Sequence, residues 1–286
     1  METKEILKKV RKIEIKTRKL SKNIFAGQYH SKYKGRGMTF SEVREYQYGD
    51  DIRSIDWNVT ARYNHPYVKV FEEERQLTVI LMIDVSASGN FGSFETKRDY
   101  ITEIAAVLAF SAISNNDKIG VILFSDRIEK FIPPQKGKKQ ILLVIRELLA
   151  FEPQGKSTNL SVAFEYLANT IKKRATVFVM SDFLSSDYTK ALRVAAYKHD
   201  ISTLFVYDKL ETTLPNVGLV NAYDPETGRM RWIDTSSKKQ RAIYEAFWNN
   251  HSQKTTELLN RCNVDYILLS TDEDYIKPLV QFFKNK

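Results

Sequence analysis

Cysteine is almost absent from this chain: Cys262 is the only one. It cannot close an intramolecular disulfide and falls short of a cysteine-cluster metal site, so a reduced, intracellular compartment is expected. Histidine is nearly as scarce. His30, His65, His199 and His251 are scattered without the spacing of metal ligands, and each reads as a surface or packing residue. No apolar run approaches the roughly eighteen residues of a membrane span. The opening "METKEILKKVRKIEIKTRKL" is too charged for a secretory leader. Together these absences point to a soluble, cytoplasmic protein.

What is present suits a globular chain. In 286 residues, 43% are hydrophobic and 28% charged, which is enough apolar matter for a full core and argues against disorder. The formal net charge of +9 is local rather than general. Residues 1–40 carry 12 Lys and Arg against 3 Asp and Glu, which leaves 32 of each sign in the remainder. The basic excess therefore belongs to the N-terminal segment, either as a solvated face or as a docking surface for an acidic partner, nucleic acid or an anionic membrane.

Within residues 3–22, Ile6, Leu7, Val10, Ile13 and Leu20 recur at helical spacing among lysines and predict an amphipathic helix. Residues 27–76 show no long helical period and read as loops and short strands, a small β-rich elaboration. From residue 77 onward apolar strands alternate with helices. Strands are expected at 77–83, "KIGVILF", "ATVFVMS", "ISTLFVY" and "VDYILLS". Helices are expected over about 95–115, 138–150, 159–173, 187–199 and 237–261, with a terminal helix that Pro278 could bend. "IEKFIPP" reads as an edge strand stopped by Pro133 and Pro134, and "GLVNAYDPETGRMRWID" as a hairpin. Near-continuous apolar strands between helices imply an α/β fold with a doubly wound, mostly parallel sheet. The expected division is 1–76 for the basic helix and elaboration, and 77–286 for the sheet domain.

In such a sheet ligands bind at the carboxyl ends of the strands. There the stretch "LTVILMIDVSASGNFGS" (residues 77–93) runs seven apolar or β-branched residues into Asp84, then places Ser86 and Ser88 on alternate positions. Asp182 ends a second strand. Thr158 lies in "FEPQGKSTN", a loop that opens a helix and can cover the same edge. Asp84, Ser86, Ser88, Thr158 and Asp182 thus offer oxygen donors from three segments, a set suited to a hard divalent cation. Strand-end aspartates and serines also serve as ordinary turn and helix caps.

Enzyme readings fit these residues poorly. A phosphatase of the haloacid dehalogenase class needs a second aspartate where Ser86 stands. No G-x-S-x-G elbow occurs, and "EPQGKST" lacks the first glycine of a phosphate-binding loop. The cluster Asp50, Asp51, Arg53, Asp56, Trp57 and Arg62 reads as a structural salt-bridge network rather than a catalytic centre, with docking as the alternative role.

"DVSAS", the threonine of "KSTN" and the aspartate of "SDF" resemble the three parts of the metal-ion-dependent adhesion site (MIDAS) of von Willebrand factor A domains. "HSKYKGRGMTFSEVREYQYGDDIRSIDWNVTAR" followed by "VKVFEEER" closely resembles the signature of the bacterial domain of unknown function fifty-eight family, over roughly residues 20 to 235. The pattern departs at "SGNFGS", where many relatives carry a methionine after the second serine. The resemblance implies a von Willebrand factor A-like, Rossmann-type fold. It implies direct ligation of a divalent cation, Mg²⁺ first and Mn²⁺ or Ca²⁺ as alternatives, by Ser86 and Ser88. Asp84 and Asp182 would act largely through bound water, and Thr158 directly or through water. It further implies a non-enzymatic interaction module that captures a partner's Asp or Glu, the partner being a MoxR-type AAA+ ATPase or a client protein rather than nucleic acid.

Overall fold

The computed structural model describes residues 38–73, 77–93, 96–223, 226 and 228–284, and the amphipathic helix expected over residues 3–22 lies outside them. The chain divides into two compact units, one spanning Ser31–Leu77 and the other including Thr78–Lys286.

In the first unit, β1 (Met38–Glu45) pairs antiparallel with β2 (Tyr67–Glu73), with a register shift between Phe40 and Glu42. The connection holds a helical turn at Ile52–Ser54 and a short helix, α1 (Trp57–Tyr63), where loops and strands were expected. Seven residues are too few for a periodic signal, but the caps are readable. Asp56 accepts from Asn58 N and Val59 N (3.0 and 3.3 Å), and Asn64 ends the helix in the left-handed region at φ 54°. Asp51 accepts from Arg53 N at 3.0 Å and caps the helical turn. Thus two of the acids expected in a salt-bridge network act as caps. Among the described residues the ion pairs run instead to residues outside the cluster, from Asp50 to Arg44 (2.7 Å) and from Asp56 to Lys69 (3.4 Å).

The second unit is built on a sheet whose six strands, among the described residues, run β10 (Asp265–Ser270), β7 (Asp200–Tyr207), β6 (Thr176–Ser181), β3 (Thr78–Asp84), β4 (Lys118–Phe124) and β5 (Ile128–Gln135). All neighbours are parallel except β5, which runs antiparallel along the edge of β4. The doubly wound, mostly parallel α/β architecture read from the sequence is the one observed. β5 continues through Pro133 and Pro134 to Gln135, beyond the expected stop. An edge position spares the prolines a ladder partner on one side, and the β4 register shifts beside them, between Ile119 and Val121. Gly120 makes room there, since a Cβ would lie 2.9 Å from Pro134 N.

Period-two alternation splits the central strand between two cores. Val79, Leu81 and Ile83 face α2 (Lys97–Ser114), α3 (Lys138–Ala150) and α8 (Ile276–Lys284). Ile80 and Met82 face α4 (Leu160–Thr170), α5 (Thr189–Lys198) and α7 (Lys238–Arg261). Helices on both faces explain why these strands read as unbroken apolar runs. Pro278 falls in the first turn of α8, where its missing N–H breaks no helical bond, so no bend is needed. A short helix, α6 (Lys209–Thr212), follows β7, and β8 (Leu219–Tyr223) pairs with β9 (Met230–Asp234) as the expected hairpin.

β3 is the switch point. Its two neighbours, β4 and β6, lie on opposite sides and are reached by connections that diverge. The crevice between the carboxyl ends of β3 and β6 is where a doubly wound sheet admits a ligand, and Asp84 and Asp182 stand there.

Candidate metal centre

The register Ile83↔Met180, continued one step, sets Asp84 beside Ser181. Ser181 Oγ donates to Asp84 Oδ2 at 2.7 Å, and Thr158 Oγ1 donates to the same oxygen at 3.2 Å. Asp84 Oδ1 accepts from Ser86 N at 3.0 Å, closing an Asx turn that directs the chain out of the strand. That turn brings Ser86 Oγ and Ser88 Oγ to 3.1 Å from one another, and the Ser88 hydroxyl in turn helps hold the Asp182 carboxylate ionised. The five residues singled out from three segments therefore converge on one crevice, with Asp84, Ser86, Thr158 and Asp182 all buried.

Capping does not account for this convergence. The cap of α4 is Asn159, which accepts from Val162 N at 3.3 Å and leaves the neighbouring Thr158 to face Asp84. Asp182 accepts from Leu184 N at 3.2 Å in a turn well ahead of α5, so it caps no helix.

The loop that carries Thr158 is fastened on several sides. Lys156 O accepts from Ala87 N and Ser125 O accepts from Asn159 N, both at 2.9 Å. Glu129, on β5, accepts from Gly155 N (2.7 Å), Gln154 N (3.1 Å) and Ser125 Oγ (2.7 Å). Although burial opposes ionisation of Glu129, these donors keep its carboxyl below the usual range. Gly155 is required by close approach, since a Cβ would run into Asp126 Oδ1 and Ser125 Oγ.

Several residues at the site have no motif in the sequence to mark them. Lys97 Nζ lies 2.7 Å from Asp182 Oδ2 and 2.6 Å from Glu211 Oε1, with only 3% of its side chain exposed. The one available signal is positional: Lys97, Ile101, Ile104 and Leu108 fall on the buried face of α2, so a lysine occupies a core position. His251, expected to be a surface or packing residue, does pack on Phe205 and Trp248, but its Nε2 also lies 2.9 Å from Asp182 O.

Charge is unevenly distributed. Burial, and then the nearby Asp182 charge, pushes Asp84 up to about 6. Burial opposes ionisation of Asp182 as well, yet the Lys97 ammonium holds it below the usual carboxylate range. Burial raises Glu211, against the pull of Lys97. Lys97 itself is raised because its two carboxylate partners outweigh the cost of burial. Two carboxylates, Asp182 and Glu211, share the Lys97 ammonium, and the Asp84 carboxyl lies close enough to Asp182 to feel its charge, in a buried crevice beside a cluster of hydroxyl oxygens. That donor set fits a hard divalent cation. Among the described residues no group of three or more His, Cys, Asp or Glu side chains is arranged to hold a metal, so any ion here would depend on the serine and threonine hydroxyls.

Residues 42–254 match the family described as "Protein of unknown function DUF58". The uncharacterized protein Mb1516 of Mycobacterium bovis is 28% identical over 283 residues, covering 97% of this chain and 88% of its own length. Rv1480 of Mycobacterium tuberculosis, also uncharacterized, matches to the same extent. Among solved structures, an aerotolerance-related membrane protein from Bacteroides fragilis superposes with a TM-score of 0.50 at 14% identity, over 73% of this chain and 100% of that one, a likeness of fold alone. No helix among the described residues is long and apolar enough to cross a membrane.

Proposed function

Because the chain belongs to the DUF58 family, we propose that it is a non-enzymatic, von Willebrand factor A-like interaction module working in the cytoplasm, which binds a divalent cation at a MIDAS-type centre and uses it to take a carboxylate from a partner protein. The observation that carries this reading is the meeting of Asp84, Ser86, Ser88, Thr158 and Asp182 at the switch point of the sheet.

Ser86 and Ser88 would hold the ion through neutral hydroxyls, with Thr158 beside them, while Asp84 and Asp182 would act mainly through bound water. Mg²⁺ suits this set best, since it keeps several waters and uses few direct carboxylates. Neutral donors leave the ion electrophilic, and an Asp or Glu from outside completes the coordination. A protein partner is favoured by that chemistry, and the sequence signature suggests a MoxR-type AAA+ ATPase in that role.

Calorimetric titration of Mg²⁺ into chelator-stripped protein tests the first half. Wild type should bind one ion and Asp84→Ala none. The second half is tested by mixing the purified chain with a purified MoxR-type ATPase, with and without EDTA. Association that is unchanged by EDTA and by Asp84→Ala would sink the reading.

A further inference from the structure

The buried Lys97 is not explained by forming α2. It is the first residue of the helix, directly after the cap Thr96. A cation there faces the positive end of the helix dipole, and lysine is rarely buried at all unless paired. Its ammonium is instead fixed from outside the helix, by Asp182 on the exit of β6 and by Glu211 on α6. Glu211 is itself immobilised, because its other oxygen accepts from Asp208 N at 2.9 Å in the capping box that starts α6.

Asp182 is correspondingly committed. Its Oδ2 accepts from Lys97 and its Oδ1 from Leu184 N, with Ser88 as a further partner. Little of its lone-pair capacity is left for direct ligation. The Lys97 ammonium offsets one negative charge of the two carboxylates it contacts, Asp182 and Glu211, so less negative charge faces a divalent ion held beside Asp182. Without the ammonium, more negative charge would face the same ion and repel an incoming carboxylate.

We propose that Lys97 is a built-in counter-cation that sets the charge left on a metal ion at this site, weakening the ion's own binding while making a partner's carboxylate bind more tightly. The inference rests on the metal reading above and adds a residue that determines what the loaded site selects.

The test uses the full chain, stripped with chelator, as wild type, Lys97→Met and Glu211→Gln. Mn²⁺ uptake is measured by calorimetry. Acetate binding to the Mn²⁺-loaded protein is measured by water-proton relaxation, acetate standing for the partner's carboxylate. Lys97→Met keeps the apolar stem and removes the charge, so it should tighten Mn²⁺ by about tenfold or more and weaken acetate by a similar factor, in line with Coulomb interaction at short range. Glu211→Gln keeps a side chain that can serve the capping box and removes a negative charge, so both affinities should move the opposite way. This second variant decides the matter if Lys97→Met does not fold. A purely structural role would lower both affinities together in either variant, and that result, or no change, overturns the inference while leaving the metal reading standing. No uptake of Mn²⁺ by wild type overturns both.

Discussion

Ser181 Oγ donates to Asp84 Oδ2 at 2.7 Å, and the same hydroxyl oxygen accepts from Phe183 N at 3.0 Å, so one side chain joins the exits of two adjacent strands. Ser181→Ala leaves a buried carboxylate oxygen and a buried N–H each short of a partner. The expected cost is about 1–3 kcal/mol in urea unfolding. Because this bond lowers the Asp84 pKa, its loss should also raise that pKa further and weaken Mg²⁺ binding near pH 7, with recovery near pH 8.5 as the carboxylate ionises. Mg²⁺ titrations of the variant that match wild type at both pH values would contradict this.

Two buried groups should act in opposite directions on acid stability. Asp84, pushed up to about 6 from an ordinary 3.8, binds its proton more tightly in the folded chain. Its contribution is full below the ordinary value and is lost as pH rises through 6. His199 is buried, neither ring nitrogen has a partner among the described residues, and burial followed by the Lys198 and Arg174 charges pushes it down to about 4 from 6.5. Its contribution is full above 6.5 and is lost as pH falls toward 4. In chelator, Asp84→Asn should therefore lose stability more steeply than wild type between pH 6 and 4, and His199→Leu less steeply. Each slope should differ by up to about 1.4 kcal/mol per pH unit. Urea unfolding at three or four pH values checks both signs, and parallel curves for all three proteins would refute the assignment.

The fold was legible where burial is two-sided. Strands such as "KIGVILF" and "ATVFVMS" are covered by helices on both faces, so their apolar runs announce a parallel sheet with little ambiguity. The ligand candidates were legible because they cluster at strand exits, a position fixed by topology rather than by side-chain contact. Lys97 and Glu211 were not. Lys97 meets Asp182 and Glu211, which lie 85 and 114 residues further along the chain, and "ETKRDY" looks like an ordinary charged helix start. Helix α1 escaped for a different reason: seven residues give fewer than two full turns, and only the Asp56 and Asn64 caps mark it.

Gly155→Ala should disturb the site without touching a candidate ligand. The added methyl collides with Asp126 and Ser125, whose Cβ would lie 3.0 Å away, and Ser125 is itself buried against the loop. Relief requires moving residues 154–156 off Glu129, which shifts Thr158 from Asp84. A stability loss of about 1–3 kcal/mol is expected from overpacking, together with weaker Mg²⁺ binding. Glu129→Gln, which keeps the glycine but loosens the same latch, should weaken Mg²⁺ binding in the same direction. Unaltered affinity in both variants would show that the latch does not position Thr158.

Asp208 is the other fixed point on which the arrangement hangs. Fully buried at the exit of β7, it accepts from Ser93 N (2.9 Å), Ser93 Oγ (2.7 Å), Thr271 Oγ1 (2.6 Å) and Leu210 N (2.9 Å). These donors come from the segments after β3 and β10 and from the start of α6, so a single carboxylate ties three chain exits together. Burial opposes its ionisation, but the bonds from Thr271, Leu210 and Ser93 prevail and hold it below the usual carboxylate range. The stability it contributes is therefore present above the ordinary carboxylate pKa and is lost as pH falls through the lower folded value. Asp208→Ala strands four donors at once and should cost about 2–4 kcal/mol near pH 7, with the gap to wild type narrowing in acid. Hydrogen exchange gives the local readout. The Ser93 and Leu210 amides should lose protection together, since both depend on the one side chain, whereas amides of β4, which none of these bonds touches, should slow or quicken only with global stability.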